Sequence, residues 1–294
     1  MKILTIIFIC IIGASILISC EDNSDIETPQ SKPKLVIHSF ISPSDTALLV
    51  HVGATTNLFG KLEDYPDYLP VKVKLLDGDQ VVEFSERDKW GFCTAKHNIQ
   101  PGRQYQIIAN CDKYPEASAI CRVPELKNNF NITIDTTSEY FQYNWGVYVQ
   151  NEVVIEFKDI PDQINYYNLV STVHSVSVSQ HGESYFPYHL MPLTNTNNWV
   201  GNNLILNDHL VDGTIIKDLF YGHSFTNFEY YKSVEIEAVL METDENYYKY
   251  HKSINNQRNS DDPFTEYSPV YSNVTGGYGI FASYVSYKKI LKLK

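Results

Sequence analysis

The chemistry written most plainly in this sequence is acylation of a thiol. Cys20 stands directly after Leu17-Ile18-Ser19, at the end of an almost unbroken apolar run from Ile3 to Ile18 that follows the basic Lys2. A basic start, an apolar core and a small residue at the join describe a secretory signal, too short and wrongly flanked for a stable span. The cysteine at the join turns secretion into anchoring. Bacterial lipoprotein processing acylates such a thiol, cuts before it and acylates the new amino group. Several palmitate-like chains on one residue hold a protein on a bilayer, where a single chain binds reversibly. Residues 1–19 are therefore read as a signal peptide and Cys20 as the lipidation site. Cys10 leaves with the peptide.

The other reactive side chains form no such pattern. Cys93, Cys111 and Cys121 remain after the anchor. An exported chain permits disulfides, and an odd number leaves one thiol over. Cys111 and Cys121 flank Asp112 to Ser118, a hairpin-like loop, so a bridge between them across neighbouring strands is expected, with Cys93–Cys111 as the rival. No pair has zinc-site spacing, and neither a metal nor a cofactor is expected. The nine histidines are scattered, although His38 and His51 can meet across a hairpin. Carboxylate pairs such as Glu152 with Glu156 or Asp208 with Asp212 lack the character of an acid–base couple. There is no HExxH, phosphate loop or GxSxG elbow, so the reading is of a protein that binds and is not an enzyme. Tyr65, Tyr68, Tyr140, Phe141, Tyr143, Trp145 and Tyr148 are the recognition candidates, an aromatic platform for a glycan, a peptide or a protein partner.

Bulk composition narrows the partners. The chain carries 35 acidic and 23 basic side chains, a balance unsuited to nucleic acid or to anionic lipid. Its 22 tyrosines and 14 phenylalanines suit β-sheets and wet, amphipathic binding surfaces.

These groups must be positioned by the segments behind the anchor. Glu21 to Pro33 is acidic, proline-containing and aperiodic, so residues 20–33 read as a flexible tether. Lys34–Ile41 and Thr46–Val52 form a first hairpin around Ser42-Pro43-Ser44-Asp45. Val71–Leu76 alternates, with Val71, Val73 and Leu75 on one face, and turns at Asp77-Gly78-Asp79 into Gln80–Phe84. Trp90–Ala95, Arg103–Cys111 and Ala117–Val123 complete a set of short strands without a good helix. Residues 34–127 are expected to form an immunoglobulin-like β-sandwich. Beyond the boundary at Pro124–Asn131, long alternating segments at Val147–Lys158 and Tyr166–Ser179 are joined by Ile160-Pro161-Asp162. Tyr230–Glu242 favours strand. The one helix, near residues 244–255, is capped by Asp244 and repeats Tyr247, Tyr250, His251 and Ile254 at helical spacing. Tyr278–Ser286 and Tyr287–Leu293 end the chain as two strands. Residues 128–294 are expected to form a larger antiparallel β-sandwich or barrel with one helix, making the chain all-β.

The closing stretch carries a resemblance. Pro263-Phe264-Thr265-Glu266, then Val270-Tyr271-Ser272-Asn273-Val274-Thr275-Gly276-Gly277-Tyr278-Gly279-Ile280-Phe281, resembles the ending of a Bacteroidota outer-membrane lipoprotein family known as a domain of unknown function. The lipobox cysteine, Pro33-Lys34-Leu35-Val36-Ile37, Tyr105, Ala119 to Pro124, and Asn207-Asp208 with Asp212-Gly213 resemble that family too. Asp262 stands where an Asn is usual, and the three cysteines and the Tyr-rich 140–148 segment are particular to this chain. The acidic residues after Cys20 resemble the export signal that places such lipoproteins on the cell exterior. Members are often encoded beside TonB-dependent outer-membrane transporters. The resemblance thus implies a surface-held lipoprotein on the outer membrane that captures substrate for, or caps, such a barrel, with a stand-alone adhesin or structural lipoprotein as the alternative. It transfers no catalytic residue. Gly276, Gly277 and Gly279 read as a structural turn that side chains would crowd.

Overall fold

Alternation of buried and half-buried residues in steps of two governs the fold. A computed structural model describes residues 32–56, 69–127, 130–143, 146–179, 182–189, 191–192, 199–200, 203–209, 213, 215–222, 231–258 and 269–294. Seventeen strands and one helix lie within them. Cys20, the signal segment, Tyr65, Tyr68, Trp145 and Pro263-Phe264 lie outside the described residues.

Two sandwiches share one long sheet. Strands β1 (Leu35–Ile41), β2 (Leu48–Ala54) and β5 (Phe92–Ala95) form one face of the first. Strands β4 (Gln80–Glu83), β3 (Lys72–Asp77), β6 (Gln104–Cys111) and β7 (Tyr114–Arg122) form the other, in that order. Leu35, Ile37, Val50, Val52, Val73, Leu75, Ile107 and Ala119 fill the core between them. Tyr105 is fully buried, and its hydroxyl accepts the Gln100 N–H at 2.7 Å. A tyrosine near a strand start bonded to backbone a few residues upstream is a feature of immunoglobulin-like sandwiches, where it ties down a chain corner.

The second sandwich is larger and antiparallel. One layer is β12 (Met191–Pro192), β15 (Ile215–Gly222), β9 (Gly146–Lys158) and β8 (Ile132–Tyr143). The other contains β13 (Trp199–Val200), β14 (Asn203–Asn207), β10 (Tyr166–Ser179), β16 (Tyr231–Thr243) and β17 (Tyr278–Lys292), with β11 (Gly182–His189) also paired to β10. Ile155 and Phe157 of β9 pack with Tyr167, Leu169 and Val173 of β10 and with Val234, Ile236 and Leu240 of β16. These are every-second residues, which is why 230–242 settles as a strand.

β17 corrects the expected ending. In place of two strands it is one strand of 15 residues. Its first half pairs in parallel with β1, from Val36↔Tyr278 to Ile41↔Ser283, and its second half pairs antiparallel with β16, from Thr243↔Tyr284 to Glu235↔Lys292. A division at residue 127 therefore leaves a strand of the first sandwich in the second segment. The result is a nine-stranded sheet running through both sandwiches.

Helix α1 (Glu245–Arg258) lies across the outer face of this sheet. Asp244 caps it, accepting the Tyr247 N–H at 2.8 Å. Beneath the helix, Tyr247 joins Ile205, Ile280 and Ala282 in a third apolar cluster.

Candidate binding site

Strand directions give the molecule two different ends. β1 runs parallel to the start of β17, and β10 runs the same way as the remainder of β17, because both are antiparallel to β16. The chain's entry at Leu35 and the β10–β11 turn beyond Ser179 therefore lie at opposite ends of the long sheet. About 60 Å of strand separates them at about 3.3 Å per residue. In the facing layer, Phe157 near the end of β9 packs on Tyr167 near the start of β10, with ring centroids 5.0 Å apart. The β8–β9 turn, twelve or so residues back along β9, thus lies at the same far end.

That end gathers much of what sequence reading singled out. The backbone of β8 and β9 places Tyr140, Phe141, Tyr143 and Tyr148 at the hairpin's extremity, with Phe141 opposite Tyr148 and Tyr143 opposite Gly146. β10–β11 adds Tyr185, Phe186 and Tyr188, opposite Val176, Ser175 and Val173. Tyr185 and Phe186 are 58% and 55% exposed. Tyr185 stacks on His174 at 5.8 Å and hydrogen-bonds its Nδ1. His174 Nε2 lies 3.6 Å from Glu237, which in turn pairs with Lys288. The β11 aromatics are absent from the sequence-based candidates, because Gly182–His189 contains a proline and no clean alternation.

A second concavity opens at the waist, about 480 Å³ in volume, between Lys127, Phe130, Phe157, Asp159, Pro161 and Ile215. Its polar floor is already committed. Asp159 accepts the Tyr167 hydroxyl at 2.6 Å and the Gly213 N–H at 2.8 Å. Asn165 bridges from there, donating through Nδ2 to Asp208 at 3.0 Å and through its backbone N–H to the same oxygen at 2.8 Å. Asp208 and Gly213, part of the resemblance, thus serve this internal knot, and a Cβ at Gly213 would sit 3.0 Å from Pro161. Next to it, burial pushes the Glu242 carboxyl up to about 7, with Lys127 and the Tyr287 hydroxyl opposing the rise.

The closing motif is likewise architectural. A Cβ would sit 2.1 Å from Glu116 O at Gly276, 2.5 Å from Leu35 O at Gly277, and 1.9 Å from Ile37 O at Gly279. Asn273 clamps the strand it precedes, accepting the Phe281 N–H at 3.0 Å and donating to the Phe281 carbonyl at 2.7 Å. Tyr271 ties the same segment to α1, its hydroxyl donating to Asn246 at 2.8 Å.

The disulfide expectation is corrected. The β6–β7 turn is tight, placing Tyr114 opposite Cys111 and Tyr105 opposite Cys121. The two thiols therefore stand at opposite ends of the hairpin, and Cys93, Cys111 and Cys121 are all free and buried. Burial raises the Cys93 thiol to about 11 and raises Cys121 as well. His38 and His51 do pair across the first hairpin. His38 Nε2 bonds the Tyr250 hydroxyl at 2.6 Å, and no group of three or more metal-ligating side chains occurs among the described residues. No helix among them is long and apolar enough to cross a membrane.

Solved structures similar to this chain share little sequence with it. The full-length major pilin SpaD from Corynebacterium diphtheriae is 8% identical, over 59% of this chain and 56% of its own length, with a TM-score of 0.22. The chain thus spans little more than half of that pilin. A carbohydrate-binding module from the β-sandwich superfamily is 10% identical over 67% of this chain and 94% of its own, with a TM-score of 0.21. A DUF3823 family protein from Parabacteroides merdae is 11% identical over 72% and 92%, with a TM-score of 0.17. No curated protein sequence matches the chain. The profile of one sequence family, Domain of unknown function (DUF4249), matches residues 21–290, and the chain belongs to that family.

Proposed function

We propose that the protein is a lipoprotein of the outer membrane, held on the cell surface through Cys20, and that it serves a TonB-dependent transporter as an accessory, substrate-capturing partner in nutrient uptake. The observation that carries this reading is the layout of the chain. The lipobox and tether lead into Leu35 at one end of the long sheet, and the aromatic hairpins stand at the other. A body held by one end and aromatic at the opposite end is suited to binding. The Bacteroidota resemblance supplies the transporter as partner.

Solubilising native membranes in mild detergent and identifying what co-purifies with the tagged protein tests the reading. A TonB-dependent barrel in the eluate is the expected result. Recovery of the protein alone, with uptake unchanged and attachment lost on deletion, would replace it with an adhesin. Cys20→Ser should in addition abolish palmitate labelling and release the protein from the membrane fraction.

A further inference from the structure

We infer that the far end of the second sandwich, built by the β8–β9 and β10–β11 hairpins, is the surface that docks onto the outward-facing loops of the membrane barrel; this rests on the transporter reading above. Its chemistry is distinct from that of the rest of the chain. Residues 138–143, 146–151, 177–179 and 182–189 contain no lysine or arginine and only two carboxylates, Glu139 and Glu183. Glu183 is already paired with Lys232 at 2.7 Å. Aromatic, hydroxyl and amide side chains make up most of the remainder, in a protein whose charged residues reach 20% overall.

The lysine that β16 brings to this end, Lys232, is neutralised by Glu183, which leaves little for phosphate, sulfate or an acidic polymer, and an end nearly without free carboxylates offers little to a cationic ligand. Depletion of charge with enrichment in Tyr and Phe marks the centre of protein–protein interfaces. Tyrosine mixed with Ser, Gly and Asn on hairpins at one end of a β-sandwich also matches binding surfaces that use rigid aromatic anchors and adaptable polar contacts. Aromatic side chains contribute about 150–250 Å² each to an interface. Among the described side chains of this end, Tyr185, Phe186 and Val178 are large apolar groups exposed to solvent. The tether sets the reach: Cys20 to Leu35 spans at most about 50 Å, so the body can tilt about its anchored end and bring the far end to a neighbour in the same membrane.

A photo-crosslinking amino acid placed at Tyr185, at Phe186 or, as the control, at Trp90 of the first sandwich tests the assignment in the full lipidated chain in native membranes. Crosslinks from 185 and 186 into a TonB-dependent barrel, identified by mass spectrometry and absent from 90, are expected. The double variant Tyr185→Ala, Phe186→Ala should lower the co-purified barrel by about tenfold or more with an unchanged unfolding midpoint. Crosslinks to the barrel from 90 alone overturn the inference and leave the transporter reading standing. So does a barrel that co-purifies but crosslinks from no position. Absence of any barrel from both experiments overturns both readings. Binding of soluble neutral glucans, mannan or galactan that is lost in the double variant, without protein crosslinks, assigns the end to glycan and overturns the inference as well.

Discussion

Asp244 joins α1 to the strand that both sandwiches share. One carboxylate oxygen accepts the Tyr247 N–H at 2.8 Å as the helix cap, and the other accepts the Ser283 N–H at 3.2 Å and the Ser283 hydroxyl at 3.1 Å. Ser283 also bonds the Arg122 carbonyl at 2.9 Å, so β7, β16, α1 and β17 meet on two side chains. Burial nevertheless raises Asp244 to about 7, against the pull of those hydrogen bonds.

Two buried carboxyls on one junction give a predicted pH dependence. Glu242 is raised to about 7 by burial, and its Oε2 has no hydrogen-bond partner. In the folded chain these groups hold a proton over a range where the unfolded chain, titrating near 4, has lost it. Their contribution is therefore fully present below about pH 4 and is lost as pH rises to about 7. Glu242→Gln should remove up to about 3 kcal/mol of that loss, stabilising the protein at pH 8 and leaving it little changed at pH 4. Urea unfolding at the two pH values checks this. A Gln variant no more stable than wild type at pH 8 would mean that the carboxylate is solvated there.

His251 works in the opposite direction. Burial lowers it to about 4, with His38 adding to the effect, and neither ring nitrogen has a partner among Phe40, Tyr247 and Tyr250 around it. A histidine held neutral in the fold favours the unfolded state once that state can protonate. Its stability contribution is therefore present above about 6.5 and lost as pH falls towards 4. His251→Phe keeps the ring contacts and removes two unsatisfied polar atoms. The variant should gain about 1 kcal/mol at pH 7 and more at pH 5, measured by thermal unfolding across that range.

How far the sequence carried the fold depends on which interaction decided each element. β10 was readable to its last residue, because the buried Leu169, Ser171, Val173 and Ser175 recur at every second position, with the half-buried Val170, His174 and Val176 between them. The cap at Asp244 was readable because it is local. β17 was not: nothing near Ser286-Tyr287 says that one strand continues, since its pairing partners β1 and β16 lie far away in sequence. Nor did cysteine spacing reveal the β6–β7 register, which the tight turn at Asp112-Lys113 sets. Of the far end, the β8–β9 aromatics were legible as a cluster. That Tyr185 and Phe186 join them follows only from strand direction.

Gly279 should tolerate no side chain. It has a φ of 110°, and a Cβ would sit 1.9 Å from the Ile37 carbonyl oxygen, a backbone atom fixed in the β1–β17 ladder. Gly279→Ala combines strain with separation of two paired strands, and a loss of about 4 kcal/mol or more is expected. Gly78 has a φ of 59° and nothing within 4 Å, so Gly78→Asn should cost less than about 1 kcal/mol. Equal losses in chemical denaturation would show that conformation alone, not the close approach of β1, requires the glycine.

The three thiols provide a test of the β6–β7 register. Cys93, Cys111 and Cys121 are buried and unbridged, and the raised Cys93 and Cys121 thiols hold little thiolate at neutral pH. Thiolate is the reactive form, so a chain beginning at residue 21 should react with a thiol reagent negligibly when native. Prepared without reductant and then unfolded, it should yield all three groups. A Cys111–Cys121 or Cys93–Cys111 bridge would leave one. The first bridge would also require the hairpin to slip far enough to bring Cys121 from opposite Tyr105 to opposite Cys111, which would turn Ile107 and Ala109 away from their present neighbours Ala119 and Ala117. A count of one in the unfolded, unreduced chain would therefore contradict the unbridged arrangement, and peptide mapping of the bridge to Cys111–Cys121 would contradict the hairpin register with it.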